Sequence, residues 1–262
     1  MIPSSGRGAW RKWLHGLWNE AKGWLAPPAA SCLICHQTLR AVGQSALCPA
    51  CSATIPWITS VYCRICGRSE PCPDCVRRAE TFFVRNRGAV RYTPQMKDLL
   101  ARYKYRGDER LLPLMADMLS HAYRMHLNDL AMTGAVPRFS CLTYVPLSEE
   151  RQAERGFNQA EKLAEALGGK YGVPVVSLLK RTKHTDKQSL KTRKERLIDL
   201  KNAFEIDREG LAFMQAQHSS RGDRPNIMII DDVYTTGSTL NECARTISAQ
   251  LRADIYGLTW AR

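Results

Sequence analysis

From residue 88 onward, short apolar runs alternate with longer stretches in which apolar residues recur every third or fourth position. The runs at 89–92, 141–145, 173–176, 227–230 and 254–260 predict strands, and the periodic stretches at 95–105, 111–132, 158–167 and 240–251 predict helices. Regular alternation of this kind predicts an α/β domain, a parallel sheet flanked by helices. Ligands of such sheets bind where the strands reach their carboxyl ends.

The chain before residue 88 has a different rhythm. Trp10, Trp13, Leu14, Leu17, Trp18, Ala21, Trp24 and Leu25 recur at helical spacing, with Arg11, Lys12 and Lys22 mostly on the other side. They predict an amphipathic helix over 7–25 that Pro27 and Pro28 end. Such a helix either docks on the rest of the protein or makes peripheral contact with a membrane surface or a partner. No apolar run approaches the roughly 20 residues of a membrane-spanning helix. The segment before the first cysteine also lacks the continuous apolar core of a signal peptide. The expected location is the cytoplasm, with no transmembrane segment.

Eight of the ten cysteines fall into four C-x-x-C pairs, Cys32/Cys35, Cys48/Cys51, Cys63/Cys66 and Cys72/Cys75. Each pair brings two thiolates to one ion through a tight knuckle, and two pairs complete the four-sulfur tetrahedron of structural Zn²⁺. Two zinc ions are the simplest count. Consecutive pairing assigns Cys32, Cys35, Cys48 and Cys51 to one ion and Cys63, Cys66, Cys72 and Cys75 to the other; spacing leaves an interleaved arrangement open, and iron–sulfur ligation is a further use of the same thiolates. A disulfide framework needs an oxidising compartment that the chain shows no route to, and a redox C-x-x-C does not normally come four times over. Cys141 and Cys243 stand alone in apolar company and read as core residues. The 262 residues have room for one α/β domain and a small accessory module. The net charge of +13 suits contact with something anionic, whether nucleotide, pyrophosphate, nucleic acid or a lipid surface. Basic residues crowd 85–110 and 180–201.

The densest chemistry follows the run at 227–230. Asp231 and Asp232 stand where that strand ends, and Thr235, Thr236, Gly237, Ser238 and Thr239 offer hydroxyls and unhindered N–H groups just before a helix, an arrangement that attracts phosphate. Carboxylates repel phosphate, so the acid pair suits sugar hydroxyls or a hydrated Mg²⁺ carried in by a polyphosphate. Two further polar segments could meet a second anionic group. One is the loop after 141–145, with Arg151 and Arg155; the other is the apolar-poor stretch containing Arg181, Lys183, His184, Gln188, Arg193 and Arg196, which reads as a mobile basic loop.

At Asp231 to Thr239 the chain resembles the binding motif of the type I phosphoribosyltransferases. That resemblance implies that the acids meet the ribose hydroxyls of phosphoribosyl pyrophosphate (PRPP) and that the loop wraps its 5-phosphate. More broadly, from Cys32 to Arg262 the chain resembles the ComF family, through the cysteine pairs, Lys104-Tyr105-Arg106-Gly107, Val145-Pro146, Arg155-Gly156-Phe157-Asn158-Gln159, Arg181 with Thr185 and Gln188, Arg196 with Ala203-Phe204, and the acid–hydroxyl motif. Asp199 departs from the asparagine that often follows the Arg196-like arginine in relatives. The resemblance implies a type I phosphoribosyltransferase-like fold behind an N-terminal zinc ribbon; with the amphipathic helix, which lies outside the resemblance, the expected organisation is a helix in 1–30, a double zinc ribbon in 31–75 and the larger domain in 88–262. It also implies Mg²⁺–PRPP as ligand, an acceptor that the sequence does not identify, and a place in DNA uptake or the use of external DNA alongside other uptake proteins. A different class of function is an adaptor that binds single-stranded DNA and reuses the fold without turnover.

Overall fold

The computed structural model describes residues 31–39, 46–134, 136–182, 202–218 and 224–262. The helix expected at 7–25 and most of the basic loop, including Lys183, Gln188 and Arg196, lie outside the described residues. The chain divides into two compact units, 1–54 and 55–262, and the division falls between the two cysteine quartets.

In the first unit the chain turns tightly at its first C-x-x-C pair. Cys32 N–H donates to Gln37 O at 2.9 Å and His36 N–H returns to Cys32 O at 2.9 Å. The second pair opens the short helix α1 (Pro49–Ala53), whose N-cap Cys48 accepts from Cys51 N–H at 3.4 Å through its sulfur. Proline at the first helical position suits this start, since no intrahelical acceptor awaits its missing N–H.

The second unit carries the parallel α/β architecture expected from the alternating pattern. Helix α2 (Pro73–Val76) belongs to the second quartet. Strands β1 (Arg85–Val90), β2 (Cys141–Tyr144), β5 (Asn226–Val233) and β6 (Asp254–Ala261) form one sheet in the order β1-β6-β5-β2, every pair parallel. Ile227, Met228, Ile229 and Ile230 are fully buried, as a central parallel strand covered on both faces requires. Helices α4 (Leu111–Met132) and α6 (Gln159–Tyr171) pack on the sheet together, while α8 (Ser238–Ser248) packs with a separate two-stranded antiparallel hairpin, β3 (Leu179–Arg181) and β4 (Phe204–Ile206). Helix α3 (Pro94–Tyr105) joins β1 to α4, and α5 (Glu149–Arg155) and α7 (Arg208–His218) are the remaining helices of the unit among the described residues. Because the sheet is parallel, β1, β2 and β5 all deliver their carboxyl ends to one edge.

The structure departs from the sequence expectations in two instructive places. Strand β1 begins at Arg85, before the run expected at 89–92, because the charge of Arg87 is taken up within the fold: its Nε and Nη2 donate to Asp129 of α4 at 3.0 and 2.6 Å, and Arg85 reaches the same carboxylate at 3.2 Å. The run 173–176, expected as a full strand, makes one parallel bridge, Val175 to Leu142, with Leu142 N–H donating to Pro174 O and Val176 N–H to Leu142 O. Pro174 has no N–H with which to extend the ladder.

Candidate functional site

Strand β5 carries Asp231 and Asp232 to the shared edge, where the chain leaves the sheet, turns through 234–237 and enters α8. Gly237 makes the turn possible. It adopts φ +74°, and a Cβ there would lie 2.0 Å from the Tyr234 hydroxyl, so both its handedness and its closeness demand glycine. Tyr234 itself is buried at 4 % exposure and packs beneath the turn. The Thr236 and Ser238 hydroxyls lie 2.8 Å apart. The three carbonyls before the glycine are all engaged: Arg262 Nη1 donates to Tyr234 O and Thr235 O at 3.1 and 3.0 Å, and Arg78 donates to Thr236 O. Among the described residues, the N–H groups of Thr235, Thr236 and Gly237 meet no protein acceptor. A turn with occupied carbonyls, unengaged amides and a helix start beyond it has the electrostatics of an anion cradle.

The acid pair gives the opposite charge beside that cradle. Asp231 accepts from the Asp232 N–H at 2.8 Å, and Asp232 forms an ion pair with Lys104. Asp231 lines the pocket but sits deep enough in the protein that burial, together with the neighbouring Asp232 charge, pushes its pKa up to about 7; the Asp232 N–H, Lys104 and Arg181 pull the other way. Lys104 had no assigned role in the sequence, where its only signal was the Lys-Tyr-Arg-Gly run. Helix α3 brings it in. Thr93 caps that helix by accepting from Met96 N–H at 3.4 Å, and Met96, Leu99, Leu100 and Tyr103 bury its inner face, which fixes Lys104 over the sheet edge.

The segment after β2 forms the opposing wall. Ser148 caps α5, Gly156 ends it in the left-handed region, and Asn158 caps α6 by accepting from Ala160 N–H at 3.0 Å. The Asn158 amide also donates to Val145 O at 3.1 Å, which ties the helix start to the loop that leaves β2. Arg155 lies over the Tyr105 ring at 5.1 Å and donates to Gln159 at 2.8 Å. Arg181, at the end of β3, stacks on Phe204 at 5.5 Å; burial and the nearby Arg151 charge lower its pKa. One pocket of about 260 Å³ collects these groups: Asp231, Asp232, Thr235 and Thr239 on one side, Arg151, Arg155 and Arg181 on the other, with Lys104 and Tyr92 beside them. Thr236, Gly237 and Ser238 shape the turn without lining the pocket. Asp231, Asp232, Thr235, Thr239, Arg151, Arg155 and Arg181 therefore meet in one pocket, with the rest of the turn beside it, while Lys183, Gln188 and Arg196 are outside the described residues.

The cysteines form two separate quartets, Cys32/Cys35/Cys48/Cys51 and Cys63/Cys66/Cys72/Cys75, and within each the sulfurs lie within 4.8 Å of one another. This is the consecutive pairing. A tetrahedron with metal–sulfur bonds of about 2.3 Å has sulfur–sulfur edges of about 3.8 Å. The Cys35–Cys48 and Cys66–Cys72 separations are 3.7 and 3.4 Å, so both quartets have the donor set and the spacing to hold a zinc ion. Cys141 and Cys243 are fully buried core residues. Among the described residues no helix is long and apolar enough to cross a membrane.

No family model matches the chain. It is 32% identical over 210 residues to the competence protein ComFC of Bacillus subtilis, covering 77% of each chain. It is 30% identical over 246 residues to the competence protein ComFC of Streptococcus pneumoniae, covering 88% of this chain and 99% of that one. The DNA utilization protein YhgH of Escherichia coli K12 is 26% identical over 222 residues, 82% of this chain and 89% of that one.

Proposed function

The chain belongs to the ComF family, and from that membership and the pocket's geometry we propose that it binds Mg²⁺–PRPP at the edge of its sheet and presents it for phosphoribosyl transfer, in the handling of incoming DNA. The observation that carries this reading is the joining, in one pocket, of a carboxylate pair, a glycine-hinged amide cradle and an arginine wall. A ligand that presents hydroxyls flanked by two anionic groups answers all three. Asp231 and Asp232 take the ribose hydroxyls, the 235–239 turn takes the 5-phosphate, and Arg151, Arg155 and Arg181 take the pyrophosphate. Lys183, Gln188 and Arg196 belong to the same proposal as closing-loop residues. Mg²⁺ enters with the pyrophosphate and neutralises part of its charge. Transfer would rest on positioning and on stabilising the charge of the departing pyrophosphate. The proposed location is the cytoplasm, where PRPP and incoming strands meet.

The test is a calorimetric titration of the zinc-loaded chain with PRPP in Mg²⁺, repeated on Asp231→Asn/Asp232→Asn. Binding by the wild type that disappears in the variant supports the ribose assignment; equal affinity in both removes it.

A second reading is favoured by a different surface. A groove of about 550 Å³, lined by Arg64, Val84 and Met132 and by Arg85 and Arg87 with their partner Asp129, lies apart from the acid pair and combines a net positive charge with apolar surface, and Tyr62 nearby is 67 % exposed. Charge plus exposed rings and methyls suits a single nucleic-acid strand. This adaptor reading predicts salt-sensitive binding of single-stranded DNA that Asp231→Asn/Asp232→Asn leaves unchanged.

A further inference from the structure

We propose that Arg262 and Arg78 are positioning residues for the 234–239 turn and that the second cysteine quartet holds Arg262 in place, so that metal at Cys63, Cys66, Cys72 and Cys75 and an anion in the turn strengthen each other's binding. The proposal takes its ligand from the phosphate reading of the turn and its geometry from contacts that do not depend on that reading.

Arg262 faces two ways. Its Nη1 donates to Tyr234 O and Thr235 O at 3.1 and 3.0 Å, while its Nη2 donates to Cys66 Sγ at 2.9 Å and lies 3.9 Å from Cys72 Sγ. The same guanidinium stacks 4.4 Å above the Tyr234 ring. Arg78, three residues past Cys75, donates to the Tyr234 hydroxyl at 3.3 and 3.2 Å and to Thr236 O. Two cations therefore hold three consecutive carbonyls of the turn and the aromatic ring beneath it. A carbonyl swung toward the pocket would set a negative dipole against a phosphate; with all three held, the amides are what the turn has to offer an anion.

The quartet is a firm support for this clamp because it is joined to the sheet. Asn86 N–H of β1 donates to Ile65 O at 2.7 Å, and its side chain donates to Cys66 O at 3.2 Å. Gly67 (φ +75°) lets the knuckle approach so closely that a Cβ there would lie 2.6 Å from Asn86 O. Four thiolates around a divalent ion leave a net charge of about −2 next to the Arg262 guanidinium. When the ion leaves, nothing holds the four sulfurs to one point, and Arg262 loses the fixed partner that aims it at the turn. Coupling of this kind is reciprocal: the factor by which metal strengthens anion binding equals the factor by which the anion strengthens metal binding.

The test uses the full zinc-loaded chain as wild type, Arg262→Lys and Arg262→Gln. Amide hydrogen exchange is followed in peptides covering the turn and in β5 and β6 as internal controls; affinities for Mg²⁺–PRPP and for inorganic phosphate are measured; and zinc transfer to a chelator is timed with and without each anion. The expected result is faster exchange confined to the turn in Arg262→Gln, about tenfold weaker anion binding, within the usual range of such couplings, and partial recovery in Arg262→Lys, which keeps the charge but loses the fork. In the wild type, anion should slow the release of one of the two zinc ions and leave the other unchanged. Unchanged exchange and affinity in Arg262→Gln, while the wild type binds PRPP, overturns the positioning assignment and leaves the phosphoribosyl reading standing. A loosened turn in Arg262→Gln with no PRPP binding by the wild type overturns the phosphoribosyl reading instead. Zinc release that ignores both anions overturns the coupling.

Discussion

Replacing Gly237 by alanine tests whether the turn is shaped as tightly as the contacts indicate. Two separate penalties arise. An L-residue held in the left-handed region costs about 1–2 kcal/mol. The new Cβ would also stand 2.0 Å from the Tyr234 hydroxyl and 2.1 Å from Cζ, inside ordinary contact distance, and Arg78 and Arg262 leave that ring little freedom to withdraw. Overpacking of this kind costs about 1–3 kcal/mol. Gly172→Ala separates the two penalties, because Gly172 ends α6 at φ +65° with nothing within 4 Å of its added Cβ and so carries only the backbone cost. Gly237 is buried, but Thr235 beside it is exposed and Thr239 lines the pocket, so the turn should relax by moving outward. The steric excess of about 1–3 kcal/mol then appears as roughly 5- to 150-fold weaker PRPP binding, while the melting temperature falls about as far as in Gly172→Ala, some 2–8 °C. Calorimetric titration and thermal unfolding read the two quantities. Tyr234→Phe should not rescue the variant, since the ring carbon stays where the hydroxyl is lost. A Gly237→Ala protein that binds PRPP like the wild type would refute the close-packed cradle.

Four other outcomes follow from charges and thiols. Asp231, pushed up to about 7 from 3.8 by burial and by Asp232, keeps a proton in the folded chain between about pH 4 and 7 that the unfolded chain has released; stability from this group therefore declines as pH rises through that window, and Asp231→Asn should flatten the slope in pH-dependent denaturation. Mg²⁺–PRPP binding below pH 7 should release that proton, seen as a buffer-dependent calorimetric enthalpy that Asp231→Asn abolishes. His126 shows the opposite sign: burial, then the Arg87 charge, lower it from 6.5 to about 3, so its contribution is complete above pH 6.5 and is lost as pH falls toward 3; His126→Gln, which keeps a donor for Gly257 O, should unfold at lower pH than the wild type. Chelation should remove two zinc equivalents and unfold both cysteine quartets, as followed by metal analysis and hydrogen exchange, and a metal-free chain with both quartets still protected would exclude zinc as their ligand.

The central features were legible in the sequence because they are local. The run 227–230 and the acids after it predict a buried strand with a charged end, and the structure puts Asp231 opposite Thr259 in the β5–β6 ladder. The four C-x-x-C pairs likewise close into quartets between neighbours in the chain. Long-range partners left weaker traces. Arg85 and Arg87 read only as part of a basic stretch until Asp129, more than forty residues on, neutralises them inside the fold. Lys104 reaches Asp232 only because α3 folds back over the edge of the sheet. Arg262 carries no local motif at all, and its bridge from Cys66 to the turn spans most of the second unit. The short helices α5 and α7 and the β3–β4 hairpin were missed for a related reason: each is too brief or too polar to build a period of its own, the hairpin being held by α8, α7 by the burial of Gly210 and Met214, and α5 by its Ser148 cap.

The acid pair bears most directly on the choice between the two functional readings. A site for phosphate alone, or for a DNA backbone, gains nothing from two adjacent carboxylates, which repel the ligand and each other. The folded chain nevertheless crowds Asp231 against Asp232 with enough burial to push its pKa toward neutrality, and it brings Lys104 from another helix to meet Asp232. Such an arrangement destabilises the fold unless a ligand compensates. Ribose hydroxyls, which donate to carboxylates, and a hydrated divalent cation, which attracts them, are the partners that turn this repulsion into affinity. The groove at Arg64, Arg85 and Arg87 needs no such pair, and a strand bound there would leave the acid site unexplained. The sugar–phosphate reading therefore accounts for the residues that are hardest to keep, and the DNA reading accounts for surface that many basic proteins expose.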